Sequence, residues 1–411
     1  MEDVVREQQQ RRAHIYELDP LRICTALCVV GVHVLSFTLF LNHTDIGTQI
    51  QNAFVVALHF TREVFMFVTA FAMVYVYYGR PFNFKRFWTK RGIGVLIPYA
   101  IWSIIYTWVN NPPLPAGTFT KTALLDILTG NASYQLYYIL LTLQFYLILP
   151  LFLLFLKQVK NRPWIVLSIS FVFQVVFMYL DYHLLQKGSL ASSGFWQFIA
   201  QYQNRFVLVY QLYFILGGLT ALYLQQVRAF LLRHGRAVVC LTLFALAGLW
   251  IHYVLQMRIY QEPMDYATSV LQPAMVFYST AVIAGFFWLV SRWAKRVDAD
   301  GRPKGYRIWH LLSDVSFGVY LIHALLLTAT LKWVVPSMPE AWPVAIRVVL
   351  TWLITAGGAT AISIVMMHIP VLSRLVGRAQ IARRSSTSTP QASPKAEQDI
   401  AAEAKQAQHA L

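Results

Sequence analysis

Residues 19–41 read DPLRICTALCVVGVHVLSFTLFL. From Leu21 onward this run holds one charged side chain, Arg22, and one histidine, His33, among apolar and small residues. A helix rises about 1.5 Å per residue, so about 20 such residues cross the hydrocarbon core of a bilayer. In that core every backbone N–H and C=O needs an internal partner, and a helix supplies it. The stretch therefore predicts a transmembrane helix. Asp19 suits the N-cap, and Pro20 the first helical position, where no backbone donor is needed.

The same signal repeats along the chain of 411 residues. With the first at 21–41, apolar runs predict about ten helices, the others at 53–78, 92–109, 134–156, 163–181, 204–226, 237–258, 268–291, 309–334 and 344–368. Composition agrees: 57% of residues are hydrophobic and 13% charged, with a mean hydropathy of +0.50. A soluble fold of this size would carry more charge on its surface. The short alternating segments of a membrane β-barrel are absent. The fold class expected is all-α, a polytopic transmembrane helical bundle.

The polar leader, MEDVVREQQQRRAHIYELDP, precedes a full-length apolar run and does not read as a cleavable signal peptide. The three cysteines, Cys24, Cys28 and Cys240, fall in apolar segments and read as core residues. The net charge of +16 does not point to nucleic acid, because the charges cluster in alternate loops. One set of segments holds Arg6, Arg11 and Arg12; Arg80, Lys85, Arg86, Lys90 and Arg91; Arg228, Arg233 and Arg236; and Arg292 to Arg307. The opposite set holds scattered single charges such as Lys121 and Lys187. This is the positive-inside pattern, and it predicts a multi-pass cell-membrane protein with both termini cytoplasmic. The expected organisation is a cytoplasmic N-terminal segment at 1–20, a transmembrane domain at 21–370, and a tail at 379–411. That tail is rich in Ser, Thr, Pro, Ala, Gln and Lys, a composition that predicts disorder.

Arg22 and His33 are eleven residues apart. That is three helical turns with about 20° of drift, so both side chains share one face, about 16 Å apart along the axis. Arg22 then falls at the cytoplasmic interface and His33 near the bilayer midplane. Alone, Arg22 reads as a snorkelling anchor and His33 as a helix–helix hydrogen-bonding residue. Ionisable groups at the midplane are costly and tend to mark function. A neutral imidazole accepts a proton from a hydroxyl, as a general base must. An interfacial arginine suits a phosphorylated ligand.

The run Leu18-Asp19-Pro20-Leu21-Arg22, followed by His33, resembles the first helix of the acyltransferase-3 family of membrane-bound O-acyltransferases, with its Arg-x10-His signature. Further stretches resemble that family in order: Phe65 to Phe71, Phe87 to Ser103, Leu136 to Pro150, and Ser316 to His323. The likeness covers about residues 15–370. Two departures stand out. Arg91 is followed by Gly94 where the family often has Arg-x-x-Arg, and Thr69-Ala70-Phe71 replaces Ser-Gly-Phe. The resemblance implies transfer of an acyl group, commonly acetyl, from cytoplasmic acyl-coenzyme A to a hydroxyl of a cell-envelope glycan or lipid-linked sugar. Acyl-coenzyme A would be a co-substrate, with no bound cofactor. His33 would serve as base or transient acyl carrier. Arg22, with Arg86, Lys90 and Arg91 in the loop before the third helix, would hold the donor's phosphates. Independently of the resemblance, that basic cluster sets topology and suits anionic donors or lipid head groups.

Other constellations leave two readings open. His59 and Glu63 are four apart, on one face of the second predicted helix. Arg62 and Glu63 form either a structural ion pair or part of the His33 cavity. His323 is either a packing histidine or a cavity residue, and Asp19 either a cap or a cavity residue. His14 and Asp19 spell the His-x4-Asp pattern of glycerolipid acyltransferases, without the rest of that domain. No phosphate-binding loop, dinucleotide fingerprint or metal-ligand spacing is found. The competing function class is an exporter or flippase for a polysaccharide or lipid-linked sugar, since midplane charges serve transport equally well.

Overall fold

The computed structural model describes residues 13–192, 194–299 and 301–377; the predicted tail at 379–411 lies outside them. The described residues form a helical bundle without β-strands. Nine helices are long and apolar enough to cross a membrane, or ten when one bent pair counts as a span.

In chain order the elements are α1 (Leu18–Phe37), α2 (Asp45–Leu58), α3 (Thr61–Tyr77), α4 (Phe84–Asn110), α5 (Ala116–Thr129), α6 (Tyr137–Val159) and α7 (Pro163–Gln186). There follow α8 (Gly194–Arg205), α9 (Val207–Leu222), α10 (Leu224–Arg233), α11 (Gly235–Arg258), α12 (Pro273–Ala294), α13 (Tyr306–Ser337) and α14 (Val344–His368). The sixth expected helix, at 204–226, corresponds to α9, which α8 meets at 50° to form the bent pair. The α5 helix, in a loop of the sequence reading, ends on Gly130 in the left-handed region, whose N–H bonds the carbonyl of Asp126.

The second expected helix is broken. The α2 and α3 helices flank a turn at His59 and Phe60. The buried Tyr278 hydroxyl donates to the Ala57 carbonyl at 2.8 Å, taking an acceptor that a continuous helix would use internally.

The α1 helix packs against α2, α3, α13 and α14, and α3 packs against α9. At Gly217 of α9 a Cβ would stand 2.2 Å from the Phe67 carbonyl oxygen, so only glycine lets these two backbones approach. The outer helices turn apolar faces outward: Ile165, Ile169 and Phe173 on α7, Leu241, Phe244 and Ile251 on α11. Such continuous apolar surface is tolerable only in lipid.

The leader is docked. Arg228 Nη2 donates to Glu17 Oε2 at 2.7 Å, and the Tyr75 hydroxyl to the Ala13 carbonyl at 3.0 Å. The first helix starts at Leu18, two residues earlier than a cap at Asp19 would place it. Asp19 is not the N-cap, which is Glu17, and it makes no capping bond. It lies in the first turn, where a carboxylate favours the positive end of the helix dipole. Pro20 remains within that turn, where its missing N–H breaks no helical bond.

Candidate active site

The α1, α3, α6 and α13 helices enclose a cavity of about 130 Å³ in the middle of the bundle. His33 lines it, with His59, Arg62, Gln135, Tyr138 and Tyr320. The His33 ring lies against Tyr134 at 4.4 Å between centroids and is stacked on His323 at 5.4 Å and 16°. His323 is fully buried. Its Nδ1 stands 2.7 Å from the Tyr320 carbonyl. A carbonyl only accepts, so Nδ1 carries the proton and the neutral ring leaves Nε2 as a bare acceptor.

The Arg62 guanidinium donates through Nη1 to the hydroxyls of Tyr137 at 3.1 Å and Tyr210 at 3.3 Å. Of the residues lining this cavity, Arg62 Nη2, His59 Nδ1 and Gln135 Nε2 are buried without a hydrogen-bond partner among the described residues, as are the Tyr134 hydroxyl and His323 Nε2 on the two rings packed against His33. Folded proteins leave few buried polar groups unpaired. A group of them converging on one cavity marks a place for a polar ligand.

A second cavity, of about 380 Å³, lies toward the end of the bundle that carries the Arg- and Lys-rich segments. Arg22 and Arg91 line it, with Thr69, Thr142, Tyr146 and Asp314. Arg22 makes no hydrogen bond or ion pair with the described residues. Arg91 lies over the Tyr146 ring at 5.1 Å, its Nε buried without a partner. Two guanidiniums facing one cavity suit a phosphate or carboxylate. The lining of this second cavity includes a π-helical turn, Gly92–Leu96, which interrupts α4 beside Arg91. The two cavities share Phe65, Tyr138 and Tyr320 as a common wall. The Tyr320 hydroxyl donates to the Gln135 carbonyl, which fixes that wall.

A third cavity, of about 520 Å³, lies at the opposite end. Its lining includes Asn110, Asn111, Asp126, Asn131 and Ser133. Tyr134 also lines it and carries contact through to His33.

Arg22 and His33 therefore face adjoining cavities along one side of α1. Arg91 joins Arg22, whereas Arg86 and Lys90 are exposed and do not line that cavity. His59 and Arg62 line the His33 cavity; Glu63 does not. It is buried beside a separate small void with Gln174, Tyr210 and Tyr213, and the described residues contain no Arg62–Glu63 ion pair. Although four apart, His59 and Glu63 line different voids, His59 in the turn between α2 and α3 and Glu63 within α3. Asp19 lines none of these cavities; its carboxylate accepts from His14 and His310. His323 packs on His33 without lining the central cavity itself. Sequence reasoning missed Tyr134, Gln135, Tyr138 and Tyr320. Tyr138 and Tyr320 fall inside stretches that resemble the acyltransferase-3 family, but tyrosine is common throughout the chain and nothing singled these out.

Residues 15–368 match the acyltransferase-3 family, described as an acyltransferase domain. No curated protein and no solved structure matches the chain. Because the family match runs from the docked leader to the end of α14, the chain belongs to the acyltransferase-3 family and is a multi-pass membrane enzyme that transfers acyl groups other than amino-acyl groups.

Proposed function

We propose that the protein is a cell-membrane O-acyltransferase moving a short acyl group, acetyl above all, from cytoplasmic acyl-coenzyme A to a hydroxyl of a cell-envelope glycan or lipid-linked sugar. The observation that carries this reading is the placing of His33 between two larger polar cavities of different character. One offers Arg22 and Arg91 to an anion. The other offers amides, a carboxylate and hydroxyls, the groups that hydrogen-bond a sugar. The loop charges orient the arginine cavity to the cytoplasm, where the phosphates of coenzyme A would meet both guanidiniums.

The reaction breaks the thioester C–S bond and forms an ester C–O bond. His33 takes the proton of the attacking hydroxyl and returns it to the departing thiolate, leaving free coenzyme A. His323, stacked on His33 with its own proton committed to a backbone carbonyl, holds the ring in place. The central cavity, at about 130 Å³, is smaller than the two cavities on either side of it, a narrowing that suits a short acyl group better than a whole sugar.

The test is release of free coenzyme A by the purified, detergent-solubilised protein. Such a preparation has no compartments, so an exporter has nothing to do in it. Release that depends on the acyl donor, rises with a suitable glycan and disappears in His33→Ala is expected. No release across a broad panel of donors and acceptors, together with glycan movement across vesicles holding the protein, would replace the enzyme reading with the transporter.

A further inference from the structure

Outside the three cavities, one cluster joins residues that the sequence scatters. His14 comes from the leader, Asp19 from the first turn of α1, and His310 from the start of α13, 291 residues beyond Asp19. His14 Nε2 lies 2.9 Å and His310 Nδ1 3.2 Å from the same oxygen, Asp19 Oδ2. The three atoms all lie within 4.8 Å of one another. We propose that His14, Asp19 and His310 form a divalent-cation site that takes zinc.

The donor set is two imidazole nitrogens and one carboxylate oxygen, which zinc favours. Around a tetrahedral ion with metal–ligand distances of roughly 2.0–2.2 Å, donor atoms stand about 3.3–3.5 Å apart. The two separations measured here need only a few tenths of an ångström of adjustment. The other nitrogen of His310, Nε2, faces Asp314 Oδ2 at 3.9 Å, the kind of carboxylate that orients a ligating imidazole from behind. The side chains of His14 and His310 are each 43% exposed while that of Asp19 is 4% exposed. An ion can therefore enter from solvent, and a fourth position stays open to water.

The ligands are also held in place without the ion. The Tyr75–Ala13 and Arg228–Glu17 bonds fix the leader on either side of His14. The Tyr306 ring stacks on His310 at 5.2 Å. These restraints reduce the ordering entropy that binding would otherwise have to offset. A bound cation would cross-link the leader to α13 beside the Arg22 cavity, whose lining includes Ser313 and Asp314. Sequence spacing gave no sign of this site, because none of its ligands shares a helical turn with another.

The test uses full-length protein without a polyhistidine tag, stripped with a chelator and titrated with zinc. One zinc per chain by mass spectrometry is expected, with a rise in apparent melting temperature. His14→Gln keeps a hydrogen-bond donor beside Asp19 but removes an imidazole. It should weaken zinc binding by more than the roughly 10- to 100-fold that changes behind a ligand cause; His310→Gln should do the same. If the wild type takes up no stoichiometric zinc, or if His14→Gln binds zinc as tightly as the wild type, the cluster is only a hydrogen-bonded latch around Asp19. His14 is exposed, so its variant folds and decides the matter even if His310→Gln does not.

Discussion

Replacing His33 separates chemistry from architecture. A general base contributes typically 10²- to 10⁴-fold to rate, which is about 3–5 kcal/mol of barrier. The structural cost is smaller. His33 is only partly buried, and what it loses is ring contact with Tyr134 at 4.4 Å and with His323 at 5.4 Å. Each such contact is worth about 0.5–1.5 kcal/mol. So His33→Ala should lower stability by about 1–3 kcal/mol while kcat falls by two to four orders of magnitude. His33→Gln fills most of the same space and keeps hydrogen-bonding groups, but cannot serve as a base at neutral pH. Its melting temperature should stay nearer the wild type while its kcat falls as far. The assay is coenzyme A release at saturating donor and acceptor, with melting followed by tryptophan fluorescence in the same detergent. A folded His33→Gln protein that keeps kcat within tenfold of the wild type would refute the base assignment.

Arg22→Ala should raise the KM for the acyl donor by roughly 10- to 150-fold, the worth of one hydrogen bond to a charged group, and leave the acceptor KM nearly unchanged. Arg91→Ala should behave alike, and the double variant should fall short of the product, because both guanidiniums face one cavity. Gly217→Val should abolish a monodisperse folded peak in size-exclusion chromatography, since its side chain would meet the Phe67 carbonyl on α3. Gly248→Ala, where a Cβ meets nothing within 4 Å, should be neutral or raise the melting temperature slightly. In a background lacking Cys24, Cys28 and Cys240, a membrane-impermeant thiol reagent on intact cells should label Glu340→Cys and miss Arg302→Cys; the reverse would invert the proposed orientation.

Much of the fold was legible in the sequence for a physical reason. Crossing a bilayer imposes a length and a lack of charge on each segment, and both are local properties. The ten expected helices all have counterparts, and the alignment of Arg22 with His33 follows from helical period alone. What surrounds those two residues was not legible. In lipid the outward face of a helix is as apolar as its buried face, so no amphipathic pattern says which side meets the bundle. The sequence therefore could not tell that Arg62 turns toward His33 and Glu63 away from it, that Tyr138 and Tyr320 wall off two cavities, or that His14 and His310 meet on Asp19. Nor could it foresee the break at His59, made by a tyrosine hydroxyl from α12, more than two hundred residues away. Local sequence set where the chain enters and leaves the membrane. Long-range packing of helices whose faces look alike decided which polar groups share a cavity, because only a specific polar partner or a close glycine contact distinguishes one face from another.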